Sequence, residues 1–156
     1  MATRARCAQF APALHACSAW FGARAVTDLL RNLFFVALGG MFGALARFGV
    51  GQWLSSLRAA HFPFATLVIN VSGSLLMGLI YVAIAERAVL HPDWRSILMV
   101  GFLGSYTTFS TFSLETVTLL EQGLPVQAFA NVGLSVLLCI AGTWAGIGVG
   151  RLLWPA

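Results

Sequence analysis

Charge is scarce in this chain, and one kind of charged residue is missing altogether. Charged residues make up 9% of the 156 residues, and all nine basic side chains are arginines, so there is no lysine. A soluble domain of ordinary composition is about one quarter charged, so the sequence excludes a water-soluble enzyme with a normally polar surface. A disordered chain is excluded as well, because 59% of the residues are hydrophobic.

Cysteines and basic clusters are also too few to define a site. Cys7, Cys17 and Cys139 form no disulfide framework and match no metal-ligand spacing. The arginines are scattered and form no basic patch that follows a phosphate backbone, so no nucleic-acid partner is expected. With a net charge of +4, the composition indicates a small integral membrane protein whose arginines orient it in the lipid bilayer.

Long stretches without formal charge predict four membrane-spanning helices joined by short connections. About 20 apolar residues cross a bilayer as a helix. The predicted spans lie near residues 33–57, 63–85, 96–120 and 126–151. We therefore interpret residues 32–156 as a four-span domain. We interpret residues 1–31, which fit a signal peptide poorly, as a loosely ordered N-terminal extension.

The distribution of arginine predicts the orientation of the chain. Seven arginines lie on the side that holds both termini and the loop at 86–95, and only Arg58 lies on the opposite side. Positively charged loops are retained in the cytoplasm, so both termini are expected there.

Polar side chains recur on single faces of the predicted spans. Thr66, Asn70 and Ser74 follow at four-residue intervals in the second span, and Asn131 and Ser135 do so in the fourth. Small residues and hydroxyls are common contacts between membrane helices, and packing is the preferred interpretation for Ser135 and the neighbouring glycines. Asn70 is harder to explain in this way, because its amide offers two donors that packing alone does not require.

The third span is the least ordinary, because glycines and a Thr-Thr pair at mid-membrane favour a broken helix. Broken helices occur in membranes only inside protein or beside a cavity, where freed carbonyls can hold a cation. Phe109 and Phe112 follow on one face, interleaved with hydroxyls. Aromatic ring edges are electropositive, and together with hydroxyl and amide donors they can replace the water shell of a small anion.

Two charges also fall within predicted spans, and each allows two interpretations. Arg47 either extends to the membrane interface or faces a water-filled vestibule, where it would concentrate anions. Glu115 either caps the end of a pathway or lies at the interface.

Three stretches resemble the signature sequences of the Fluc (CrcB) family of fluoride channels: GGMFGALARF, FATLVINVSGSLLMG and GFLGSYTTFSTFSLET. The resemblance runs from about residue 33 to residue 152. It implies an all-α membrane fold with four transmembrane helices, a broken third helix and an antiparallel dimer with two fluoride pathways. It also implies a bacterial inner-membrane location, dual topology, and a structural Na⁺ at the dimer centre that is not transported.

The resemblance also implies which residues serve these functions. The fluoride pathway falls on Asn70, Phe109, Phe112, Ser110, Thr111, Arg47 and Glu115. The Na⁺ falls on the main-chain carbonyls of Gly104 and Thr107. Ser135 is carried over with less support, because the fourth span has no comparably sharp motif.

A passive fluoride channel that exports cytoplasmic F⁻ is therefore the leading hypothesis. The sequence contains no nucleotide-binding motif, which an ATP-driven pump would need. An antiparallel homodimer requires one chain to insert both ways, which the arginine bias opposes, so a heterodimer with an oppositely oriented homologue is a second possibility.

The alternative function is a proton-coupled small multidrug-type transporter. That chemistry needs a mid-membrane carboxylate, and the first span offers Arg47 in its place. A purely structural subunit would not explain Asn70 together with the polar third span.

Overall fold

The computed structural model describes the backbone of residues 3–56 and 62–155 and the side chains of residues 25–54 and 62–155. Within these ranges all regular secondary structure is helical. The α-helices are α1 (Thr3–Ser56), α2 (Phe64–Tyr81), α3 (Gly104–Tyr106), α4 (Phe109–Glu121) and α5 (Pro125–Leu153). Two π-helical segments, Val82–Glu86 and Arg95–Leu103, follow α2 and precede α3.

Four helical stretches are long and apolar enough to cross a membrane. They are Ala25–Leu54, Phe64–Glu86, Arg95–Glu121 and Pro125–Leu153. The prediction of an all-helical, multi-pass membrane protein with four spans is confirmed. Asp28 and Arg31, near the start of the first stretch, lie one helical turn apart and pair at 3.5 Å.

The chain divides into two compact units, Met1–Phe34 and Phe35–Ala156. In the first unit, the described apolar side chains of Val26, Leu29 and Leu30 are exposed. The second unit holds every residue predicted to line the fluoride pathway or bind Na⁺. The domain boundary between residues 31 and 32 and the loose order of residues 1–31 stay predictions.

Close helix packing in the second unit depends on glycine. A Cβ atom on Gly146 of α5 would overlap the carbonyl oxygen of Leu75 in α2, and one on Gly78 of α2 would overlap that of Thr143 in α5. Membrane helices pack closely where small residues let two backbones approach. The α2–α5 pair therefore forms a tight contact that positions the polar faces of both helices.

The opposite side of α2 contacts the third span. Ile69 of α2, Leu103 and Tyr106 form a buried apolar cluster, and the hydroxyl of Tyr106 lies 3.0 Å from that of Ser72. At one end of the bundle, Arg151 makes two hydrogen bonds of 2.9 and 2.8 Å with Glu86. The end of α5 and the start of the loop after residue 86 therefore lie at the same end.

Candidate functional site

The backbone leaves the helical conformation at two consecutive residues of the third span. Thr107 has φ −79° and ψ 157°, and Thr108 has φ −150° and ψ 119°. Thr108 is the N-cap of α4, where its hydroxyl accepts a hydrogen bond of 3.2 Å from the amide of Thr111. A threonine in extended conformation at this position satisfies one of the free amides at the start of a helix.

Asn70 of α2 holds this extended segment in place. Its Oδ1 accepts from the backbone amide of Thr108 at 2.8 Å, and its Nδ2 donates to the carbonyl of Thr108 at 3.0 Å. An asparagine amide carries two donor hydrogens, and the second has no hydrogen-bond acceptor among the described residues. Asn70 is thus both a structural partner of the third span and a remaining donor.

A cavity of about 410 Å³, called here the phenylalanine cavity, lies beside this segment. Its lining comes from α2, α4, α5 and the Thr107–Thr108 segment, and includes Asn70, Thr108, Phe109, Phe112, Ser135 and Cys139. The two phenylalanine rings are 5.3 Å apart between centroids and tilted by 48°. Phe112 is 9% exposed, whereas Phe109 is 78% exposed and presents its ring to the outside of the single chain.

A second cavity of about 390 Å³, called here the arginine cavity, lies between α1, the start of α2 and the first half of α4. Arg47, Thr66, Thr108, Thr111 and Glu115 are part of its lining. Thr66 donates a hydrogen bond of 2.7 Å to Oε1 of Glu115. The other carboxylate oxygen, Oε2, is buried and has no hydrogen-bond partner among the described residues.

Arg47 shares this cavity with Glu115 without an ion pair. No carboxylate of the described residues lies within salt-bridge distance of its guanidinium. Both interpretations of Arg47, the extension to the membrane interface and the water-filled vestibule, stay predictions.

Three other predicted site residues lie at the surface or the break. Ser110 is exposed and lines neither cavity, and its hydroxyl lies 3.3 Å from that of Thr108. Gly104 is exposed, and Thr107 donates its hydroxyl to the carbonyl of Leu103 at 2.9 Å. The roles of Ser110 in the pathway and of Gly104 and Thr107 in sodium binding stay predictions.

Sequence reasoning missed two residues of this region. Thr108 lines both cavities and bonds Asn70 through its backbone, and Asn131 is buried between α4 and α5. The position of Thr108 depends on the dihedral angles of Thr107, for which the Thr-Thr pair was the only signal. Asn131 was visible only as one member of the polar face of the fourth span.

Four helical stretches that are long and apolar enough to cross a membrane define a multi-pass helical membrane protein. Residues 34–147 match the family described as CrcB-like protein, Camphor Resistance (CrcB), and the chain belongs to this family.

The chain is also similar to proteins named fluoride-specific ion channel FluC. A relative from Methylococcus capsulatus is 52% identical over 122 residues, which are 78% of this chain and 54% of that protein. The chain thus spans about half the length of that relative. A relative from Coxiella burnetii (strain Dugway 5J108-111) is 48% identical over 123 residues, or 78% of this chain and 99% of that protein. One from Stutzerimonas stutzeri is 44% identical over 124 residues, or 80% of this chain and 100% of that protein.

These names describe ion channels and not enzymes. The sequence-based identification of the family is therefore confirmed. The alternative of a proton-coupled small multidrug-type transporter is not supported.

Proposed function

We propose that this chain is a fluoride-specific channel through which cytoplasmic F⁻ leaves the cell passively, driven by the membrane potential. The observation that carries the proposal is the convergence of Asn70, Phe109 and Phe112, from two different helices, on one cavity. The FluC names of the relatives support the same ion. Each side chain offers positive electrostatic potential, from an amide hydrogen or a ring edge, and none offers a negative charge.

The two cavities form a continuous route in this proposal. The support for this is that Thr108, in the extended segment, contributes to the lining of both of them. Arg47 concentrates anions in the arginine cavity, and the ion then passes Thr108 to reach the amide of Asn70. Donors at such close spacing replace the hydration shell of a small anion and disfavour a larger one.

A structural Na⁺ at the break is part of the proposal, and the residues present fit this ion. In a continuous helix the carbonyls of Gly104 and Thr107 would accept from the amides of Thr108 and Thr111. Here the Thr108 amide donates to Asn70 Oδ1 and the Thr111 amide donates to Thr108 Oγ1. Both carbonyl oxygens are thus released from the helical pattern, and hard cations bind such oxygens. When bound, Na⁺ would supply positive charge and hold the extended segment.

An antiparallel homodimer in the bacterial inner membrane, with dual topology, completes the proposal, and a heterodimer with an oppositely oriented homologue is its variant. The exposed ring of Phe109 and the exposed Gly104 support a second chain. In a single chain the phenylalanine cavity is open on the side of Phe109, and a partner would close it. Both termini are proposed to be cytoplasmic in the orientation favoured by the arginine bias.

The test is anion efflux from liposomes that contain the purified chain, with a potassium ionophore to prevent charge build-up. Fluoride and chloride electrodes are read on parallel samples in sodium buffer. Rapid fluoride loss with chloride retained is expected. Equal loss of both ions would contradict the proposed function. The absence of fluoride loss from liposomes that contain the folded chain inserted in both orientations would contradict it as well.

A further inference from the structure

Asn131 has the most deeply buried polar side chain in the described part of the chain. It is 1% exposed and lies on α5, facing α4. Burial of an amide is unfavourable unless its polar atoms are paired. Its Nδ2 donates to the hydroxyl oxygen of Thr116 at 2.9 Å, and its Oδ1 lies 3.5 Å from the hydroxyl of Ser135.

The first of these bonds leads to the backbone of Phe112. Thr116 donates its single hydroxyl hydrogen to the carbonyl of Phe112 at 2.8 Å. Its oxygen is therefore left as an acceptor, which requires that Asn131 presents its NH₂ group to Thr116 and its oxygen to Ser135. The direction of every hydrogen bond in this chain of four residues is thus determined.

The second bond controls the hydrogen of Ser135. A serine hydroxyl carries one donor hydrogen. Ser135 lines the phenylalanine cavity, and among the described residues the acceptor for its hydrogen is Oδ1 of Asn131. A distance of 3.5 Å exceeds the usual range for a hydrogen bond between oxygens. The bond is therefore weak, and an anion in the cavity competes with Asn131 for the same hydrogen.

We infer that Asn131 is a positioning residue that acts at both ends of this network, an inference that rests on the proposed fluoride channel. Through Thr116 it holds the backbone of Phe112 at a defined height against α5. Through Ser135 it affects the binding of the anion. Without an anion Ser135 donates its hydrogen to Asn131, and with an anion in the phenylalanine cavity it donates to the anion instead. Because the hydrogen bond to Asn131 is then lost, binding stays weak enough for the ion to leave.

The withheld donor is tested by Asn131→Leu, alone and combined with Ser135→Ala. Leucine removes the competing acceptor, Oδ1 of Asn131, so Ser135 donates to the anion without losing a hydrogen bond. Because the bond that is removed is weak, the fluoride concentration that gives half-maximal efflux is expected to fall about twofold, the lower limit for one net hydrogen bond. The effect should vanish in the Ser135→Ala background. A fall that persists without the hydroxyl, or an unchanged value in folded Asn131→Leu protein, would overturn this part.

The positioning of Phe112 is tested without transport. Para-fluorophenylalanine is placed at position 112 alone, and the ¹⁹F resonance of its ring is recorded in fluoride-free buffer. Thr116→Val should shift or broaden the signal, because it removes both of the hydrogen bonds made by Thr116. Thr116→Ser retains the hydroxyl and should restore the original line.

Thr118→Val, two residues further along α4, is the matched control. No side-chain hydrogen bond of Thr118 occurs within the described residues. The ¹⁹F resonance of the ring at position 112 in the Thr118→Val variant should therefore match that of the chain without this substitution. Identical spectra for Thr116→Val and Thr118→Val would overturn the positioning of Phe112. Absence of fluoride efflux from the unmodified chain would instead overturn the proposed function, and the ring signal of the same variants, with Asn131→Leu added, would still decide the role of Thr116 and Asn131.

Discussion

The side chain of Asn70 and the backbone of Thr108 exchange two hydrogen bonds, of 2.8 and 3.0 Å. This pair takes the place of the helical bonds that the third span loses where Thr107 and Thr108 are extended. Free backbone groups inside a membrane cost several kcal/mol each, so an amide that both accepts and donates at this point stabilises the break. The second hydrogen of the same amide has no acceptor among the described residues, and in the proposed function it is donated to the anion.

Asn70→Asp removes the donors of the amide and keeps one of its two hydrogen bonds to Thr108. The carboxylate still accepts from the Thr108 amide, but it loses both donor hydrogens and places a negative charge beside the route. Repulsion between unit charges about 4 Å apart is worth about 4 kcal/mol at an effective dielectric constant of 20. Fluoride efflux should therefore fall at least about a hundredfold. Efflux close to that of the unmodified chain would show that the anion does not pass Asn70.

Phe109→Ile and Phe112→Ile remove the electropositive ring edges and keep apolar side chains. Both variants should suppress fluoride efflux from liposomes. Their stabilities should differ, because Phe109 is exposed and Phe112 is buried. Phe112→Ile should lower the free energy of unfolding by about 1–3 kcal/mol, whereas Phe109→Ile should leave it nearly unchanged in the single chain. Unchanged efflux in both variants would remove the rings from the mechanism.

Thr66→Val tests the polar contact in the arginine cavity. The substitution removes the hydrogen bond to Glu115, whose other carboxylate oxygen already lacks a partner among the described residues. An additional unpaired carboxylate oxygen should cost about 1–3 kcal/mol, measured by unfolding in detergent micelles. Thr66→Ser keeps the hydroxyl and should restore the stability. Equal stability of the valine and serine variants would show that the hydrogen bond contributes little.

Much of this arrangement follows from short-range patterns in the sequence. Stretches without formal charge predict the four spans, and four-residue spacing predicts that Thr66 and Asn70 share a face of α2. Both side chains do contact the third span, through Glu115 and Thr108 respectively. A one-dimensional pattern is sufficient here because the periodicity of a helix fixes the direction of each side chain.

Features that depend on the axial register of two packed helices were not predictable from the sequence in the same way. Asn131 meets Thr116 only because α4 and α5 have one particular register, and packing was the preferred interpretation for the neighbouring Ser135. Thr108 lines both cavities because Thr107 has ψ 157°, a conformation that the Thr-Thr pair permits but does not specify. Ser110 carries a hydroxyl in the expected segment, and yet it is exposed.

Gly146→Ala tests the close contact between α2 and α5. A methyl group at this position would overlap the carbonyl oxygen of Leu75, so the two helices would have to separate. Overpacking of this kind costs about 1–3 kcal/mol, and the thermal unfolding temperature should fall. Gly148→Ala is the matched control on the same helix, because no described atom lies within 4 Å of its added Cβ. Equal unfolding temperatures would show that the helices adjust to the methyl group without cost.

Gly104→Ala, combined with removal of sodium, tests the proposed cation site. Among the described residues the added Cβ would meet only the carbonyl oxygen of Met99, at the ordinary contact distance of 3.7 Å, so the single chain should fold normally. If Na⁺ binds the Gly104 carbonyl against a second chain, the methyl group occupies that approach. Fluoride efflux should then require a higher sodium concentration than in the unmodified chain, whose efflux should itself slow when N-methylglucamine replaces sodium. Gly49→Ala, which also has open space around its Cβ, serves as the control. A sodium dependence identical in all three proteins, or absent in the unmodified chain, would contradict a sodium site at the break.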